Sequence, residues 1–309
     1  MIAAVFPGQG SQKPGMGQDL FDTFPGARGI FERVAVATSI DTAKLCFELD
    51  EETLRQTQNA QVALYTCSVA AWAVLSSHTD VRAIVATAGH SVGEYAALAA
   101  AGVISVEDGA RLVQTRGQLM SDSGKAYPGT MAAVLGLERE ALAAICAQVD
   151  GVVVVANDNC PGQLVISGEV EAVGKAGELA SAAGAKRVLP LNVSGAFHSP
   201  LMDVPAKEMA KALAGVAFGS GDRSVYGNVT SEKVEDSGEW PTLLERQLGS
   251  PVRWTESIQH MRRDGIDTFV ECGVGDVLSG LLRRIDKEAT ALKVADQPTL
   301  QATLAALSA

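Results

Sequence analysis

The stretch from Ala83 to Ala101 reads AIVATAGHSVGEYAALAAA. Its opening run, Ala83-Ile84-Val85-Ala86, predicts a buried strand. Its close, Glu94 to Ala101, is rich in helix formers and stops at Gly102. Between them stands Gly89-His90-Ser91-Val92-Gly93, a G-x-S-x-G match. Strand, sharp turn and helix in that order mark an α/β chain, and this is the context in which such a serine is thrust out at the end of a sheet. Glycines flank it because the corner is crowded, and the helix N-terminus behind it aims amide donors at developing negative charge. The alternative reading of Ser91 is an N-cap in a glycine-rich turn.

Working outward, Ile2 to Phe6 predicts another buried strand, ending at Pro7-Gly8-Gln9-Gly10-Ser11-Gln12. This loop is no nucleotide cradle. Lys13 stands where G-x-G-x-x-G needs glycine, and Pro14 blocks immediate helix propagation. Residues 29–76 read as mostly helical. From Thr130 onward the rhythm changes. Thr130 to Leu135 predicts a strand, Glu138 to Val149 a helix, Val152 to Val155 a strand, and Asn157 to Gly162 a turn. Then come a strand over Gln163 to Ser167, a helix over Val170 to Ala183 and a strand over Arg187 to Leu191. The order βαββαβ is the ferredoxin-like motif. Earlier strand and helix signals resume near Ser224. The expected fold is therefore α/β, a parallel-sheet core over residues 1–126 and 193–309 with a ferredoxin-like subdomain inserted at 127–192. Tyr127-Pro128-Gly129 is a plausible hinge.

The 309 residues are 47% apolar and carry a formal charge of −11. That suits about two globular domains and speaks against a general nucleic-acid binder. The apolar start is too short for a signal peptide, and no run of about 18 apolar residues predicts a membrane span. Five dispersed cysteines without C-x-x-C spacing suggest reduced thiols in a cytoplasm rather than a disulfide framework.

A serine nucleophile needs a base, and the chain holds four histidines. His90 adjoins the serine and should point away. His78 sits in a polar segment, and His260 on an expected solvated helix face. His198 follows Ala196-Phe197 in an irregular stretch directly after the insert, where sites concentrate. Elimination favours it, with an ordinary hydrogen-bonded loop histidine as the alternative. Arg116 falls on the apolar stripe of Val106, Ala110, Val113 and Met120. A buried arginine needs a partner: a structural carboxylate, or a substrate carboxylate gripped in bidentate fashion.

Together these pieces resemble the malonyl-CoA:acyl-carrier-protein transacylase family. They are Phe6-Pro7-Gly8-Gln9-Gly10-Ser11-Gln12, Gly89 to Tyr95, Arg116-Gly117 with Met120, Pro161-Gly162-Gln163, Gly195 to Ser199, Asn228-Val229, and Gln247-Leu248 before Pro251-Val252. The resemblance spans essentially the whole chain and implies a hydrolase-like α/β core with a ferredoxin-like insert. It implies Ser91 as nucleophile, His198 as base and acid, and the Gln9 and Val92 amides as oxyanion hole. It implies Arg116 as clamp for the malonyl carboxylate, Gln247 as the residue whose backbone orients the histidine, and Gln61, Met120 and Phe197 as pocket lining. The substrates implied are malonyl-CoA and acyl carrier protein, in a ping-pong reaction supplying fatty acid synthesis without cofactor or metal. Val62 stands where the family usually shows proline. Carrier proteins are acidic, so a basic patch is expected, with Lys186-Arg187, Arg262-Arg263 and Arg283-Arg284 as candidates. A serine hydrolase shares the elbow, and a binding protein with an inert serine is the second rival.

Overall fold

The computed structural model describes residues 1–193 and 195–308. Apolar β-branched runs form a five-stranded parallel sheet. Its strands are β1 (Ile2–Phe6), β2 (Ile84–Gly89), β7 (Ser224–Tyr226), β8 (Thr268–Cys272) and β9 (Thr290–Val294), in the order β7-β2-β1-β8-β9. The strands read as near-continuous apolar segments because helices cover both faces. The Thr57–His78 helix packs beneath the sheet and against the Pro25–Thr38 and Val106–Ala126 helices. It is apolar and long enough to cross a bilayer, but 83% of its most apolar window is buried inside the protein, so it serves as the core helix. Val62 lies within it, buried, with its carbonyl accepting from Thr66 Oγ1 at 2.7 Å.

A second sheet holds β3 (Gly129–Leu135), β4 (Val153–Cys160), β5 (Gln163–Glu169) and β6 (Arg187–Pro190), in the order β4-β5-β3-β6 with every neighbour antiparallel. The Arg139–Cys146 and Val170–Ala182 helices lay Leu142, Ile145, Val173 and Ala176 over Val134, Leu164 and Ile166. This is the βαββαβ arrangement that the sequence predicts. One expectation fails: Asn157 to Cys160 is strand, not turn, and only Pro161-Gly162 turns, with Gly162 at φ +70°. Tertiary pairing overrides the turn preference of these residues. The Asp158 amide donates to Val252 O, and the Val252 amide to Ala156 O, both at 2.9 Å. Thr255 Oγ1 donates to Asp158 Oδ1 at 2.6 Å, and Arg139 pairs with Glu256. The polar end of β4 thus ties the small sheet to the segment after Ser250.

Candidate active site

The site forms where β1 and β2 end side by side, Phe6 opposite Gly89. The carboxyl edge of a parallel sheet is where such folds bind ligands. The His90 amide donates to Phe6 O at 3.0 Å, so the loop after β1 and the elbow after β2 are fastened together. Ser91 sits at φ +53°, a left-handed conformation that a non-glycine residue adopts only when its surroundings impose it. The Gly93–Ala100 helix begins two residues later. A Cβ on Gly93 would lie 2.2 Å from Phe6 O, so only glycine lets the two elements approach this closely. Asn228, after β7, braces the corner. Its Oδ1 accepts from the Ser91 amide at 2.7 Å, and its Nδ2 donates to Gly89 O at 2.6 Å.

Ser91 Oγ and His198 Nε2 are 2.8 Å apart. His198 is buried, at φ +56°, and its Nδ1 faces two carbonyls, Gln247 O at 2.9 Å and Ser250 O at 3.2 Å. Carbonyls only accept, so Nδ1 carries the proton and Nε2 is left to accept from the serine. Burial, and then the positive charge of Arg116, push the His198 pKa down to about 3. The ring is therefore a neutral base at ordinary pH. Two main-chain carbonyls take the place a carboxylate holds in a Ser-His-Asp triad.

Arg116 is 1% exposed. Its Nη1 donates to Gln61 Oε1 at 2.8 Å, and its Nη2 to Gln247 Oε1 at 2.8 Å and Ser91 Oγ at 3.1 Å. The guanidinium lies over the Tyr95 ring, 5.8 Å from its centre, and its Nε has no partner among the described residues. Burial presses its pKa downward, but arginine stays charged. No described carboxylate lies within ion-pair distance of it; buried Glu94 acts on its charge from beyond Gln247, which hydrogen-bonds to both. A fully buried cation is held by neutral oxygens alone, beside the serine hydroxyl.

These groups open into a cavity of about 370 Å³ walled by Gln9, Ser91, Val92, Arg116, Met120, Phe197 and His198. No described group bonds to the Gln9 or Val92 amide. Gln61 is fully buried and stands behind the wall, where it holds Arg116 and donates to Met120 Sδ at 3.2 Å. The other histidines have other partners, although His90 also lines the cavity. His90 Nε2 lies 2.8 Å from Asn159 Oδ1 on β4. His78 ends a helix rather than sitting in a loop, with Nδ1 2.8 Å from Val74 O. His260 is half-buried rather than solvated, and its Nδ1 meets Ser231 O at 2.8 Å. Asn228, Ser250 and Glu94 escape the sequence reading as positioning groups. Asn228 and Glu94 lie inside matched motifs, which was the available signal. Ser250 offers only a carbonyl, which no side chain announces.

Among the described residues, no group of three or more His, Cys, Asp or Glu side chains is placed to hold a metal ion. The acyl transferase domain family matches residues 4–300. The malonyl CoA-acyl carrier protein transacylase of Bacillus subtilis is 40% identical over 310 aligned residues, covering 99% of this chain and 97% of that one. A solved acyl-carrier-protein-S-malonyltransferase from Bartonella henselae superposes with a TM-score of 0.95 at 41% identity, covering 100% of this chain and 99% of that one. A malonyl-transacylase solved in complex with a type II PKS acyl-carrier protein gives 0.94 at 39%, with 99% of each chain covered. With its serine elbow, carbonyl-held histidine and buried arginine at one sheet edge, this chain belongs to the acyl transferase domain family.

Proposed function

We propose that this enzyme moves the malonyl group from malonyl-CoA to the phosphopantetheine thiol of acyl carrier protein, as the names of its relatives suggest, and so supplies fatty acid synthesis. The observation that carries the reading is Arg116: a buried guanidinium beside the nucleophile, facing only neutral acceptors. A substrate carboxylate entering the cavity completes its coordination, and charge-assisted pairing in a dry site is worth most there.

The chemistry follows from the geometry. Ser91 Oγ gives its proton to His198 Nε2 as it attacks the thioester carbonyl. The oxyanion turns to the Gln9 and Val92 amides, where one such donor is worth about 3 kcal/mol in related acyl transfers. The C–S bond breaks, and His198 returns the proton to the departing CoA sulfur. A malonyl ester of Ser91 remains. The carrier thiol then gives its proton to His198 and attacks the ester, and the proton passes back to Ser91 Oγ. Gln247 positions the base, and Met120 and Phe197 shape the acyl pocket. Each step is carried by protein groups, so the proposal calls on no cofactor. We take residues 127–192 as an inserted subdomain. We place the enzyme in the cytoplasm, a reading supported by five cysteines that are all free and buried.

Replacing Arg116 with alanine tests the carrying observation. Malonyl-CoA should lose at least tenfold more in kcat/KM for Ser91 acylation than acetyl-CoA, which has no carboxylate to hold. An equal loss for both would make Arg116 a structural residue.

A further inference from the structure

Glu94 is a buried ionisable side chain beside the site without a part in the reaction above. It opens the helix behind the elbow and is 1% exposed. Both carboxylate oxygens are engaged. Oε1 accepts from the Asn228 amide at 2.6 Å, and Oε2 accepts from Gln247 Nε2. The same Nε2 also donates to Ser91 O at 3.0 Å. With its nitrogen committed to two acceptors, Gln247 must turn Oε1 the other way, where it accepts from Arg116 Nη2 at 2.8 Å. An ionised carboxylate can only accept, whereas an amide has one end that accepts and one that donates. We propose that Glu94 is a positioning residue for acyl selectivity: its carboxylate fixes the polarity of the Gln247 amide, and through it the guanidinium that grips the substrate carboxylate.

Substituting Glu94 with glutamine shows why the carboxylate matters. The new amide can accept from only one side. If it accepts from Asn228, it turns N–H groups toward Gln247 Nε2. Gln247 then reverses and points its own N–H groups at Arg116, donor against donor. A buried unmade or opposed hydrogen bond is costly, and the guanidinium shifts to escape it. Other charged and polar groups near Glu94 do not substitute. Arg116 acts on it directly by charge but is hydrogen-bonded to it only through Gln247, and the Tyr95 hydroxyl has no hydrogen-bond partner among the described residues. Burial raises the Glu94 pKa to about 7 against the pull of its donors and Arg116, so the ionised form depends on these contacts.

This inference rests on the malonyl reading, and one experiment separates the two. Self-acylation of full-length enzyme is followed by intact mass with malonyl-CoA and acetyl-CoA, and the ratio of their kcat/KM values is taken on a single preparation. The active fraction then cancels. Glu94→Gln should lower the malonyl-over-acetyl ratio at least tenfold. Glu94→Asp draws the carboxylate back by about 1.5 Å, the length of one carbon–carbon bond, and should lower it too. In a Gln247→Met background, Glu94→Gln should change the ratio no further, because the route through the amide is already gone. A ratio held within twofold in both single variants, with the two substrates slowing together, would make Glu94 merely structural. A further fall in the Gln247→Met background would overturn the route through Gln247. A wild-type enzyme with no preference for malonyl would instead sink the proposed function itself.

Discussion

His198 Nε2 is free to accept from the Ser91 hydroxyl because the other ring nitrogen is already occupied. Gln247 O and Ser250 O both face Nδ1, so the tautomer is fixed without a carboxylate. The cost of keeping this ring neutral is visible in stability. An unfolded histidine takes up a proton near pH 6.5, whereas His198 resists until about pH 3. Between those values the unfolded chain binds more protons, so His198 withdraws stability as pH falls from about 7 toward 4. The full effect is a few kcal/mol, enough to move a melting temperature by several degrees. Wild-type enzyme should therefore lose melting temperature faster than His198→Ala over that range. Glu94 is raised to about 7 and slopes the other way, but it is common to both proteins and drops out of the difference. Parallel melting curves would contradict the assignment of His198 as a buried neutral base.

At the scale of elements, the strand–elbow–helix unit is the most demanding piece of the fold. Gly93 lets the helix start against Phe6 O, and Gly89 would place a Cβ 2.0 Å from Gly93 O. Gly93→Ala should lower the melting temperature by more than about 5 °C, because the clash is with backbone that cannot swing aside. An unchanged melting temperature would mean that the corner is looser than its contacts indicate. This unit was legible in the sequence, since G-x-S-x-G between an apolar run and an alanine-rich helix has one good solution. The antiparallel sheet was legible for a similar reason, with each strand and helix showing its own period. The end of β4 was not. Asn157-Asp158-Asn159 carries turn residues, and its pairing with Leu164 and Val165 of β5, with Val252, distant in sequence, bonded on the other side, makes it strand. Glu94 lay inside a matched motif, but its burial did not show. A glutamate in a helix's first turn is ordinary, and its burial depends on Asn228 and Gln247 arriving from elsewhere.

At the scale of the whole molecule, a chain of charge −11 must still receive an acidic partner. Two of the three basic pairs are partly engaged within the fold. Arg262 pairs with Asp286, and Arg284 donates to Gln163 Oε1 and Pro161 O. Lys186 and Arg187 are exposed, with no ion pair to described residues, at the start of the strand that runs toward the cavity-lining Leu191, Asn192 and Val193. Arg187→Glu should raise the carrier-protein KM about tenfold at low salt, less so at high salt, and leave acylation by malonyl-CoA unchanged. A carrier KM that does not move would place docking on another face.

The proposed reaction passes through a covalent malonyl-enzyme at Ser91, protected from water and discharged to the carrier thiol. Intact-protein mass after brief exposure to malonyl-CoA tests it most directly, with Ser91→Ala alongside. One malonyl adduct is expected on the wild type and none on the variant, with discharge by carrier protein faster than by water. An adduct that persists on Ser91→Ala, or rapid release of CoA that leaves no adduct on the wild type, would contradict it.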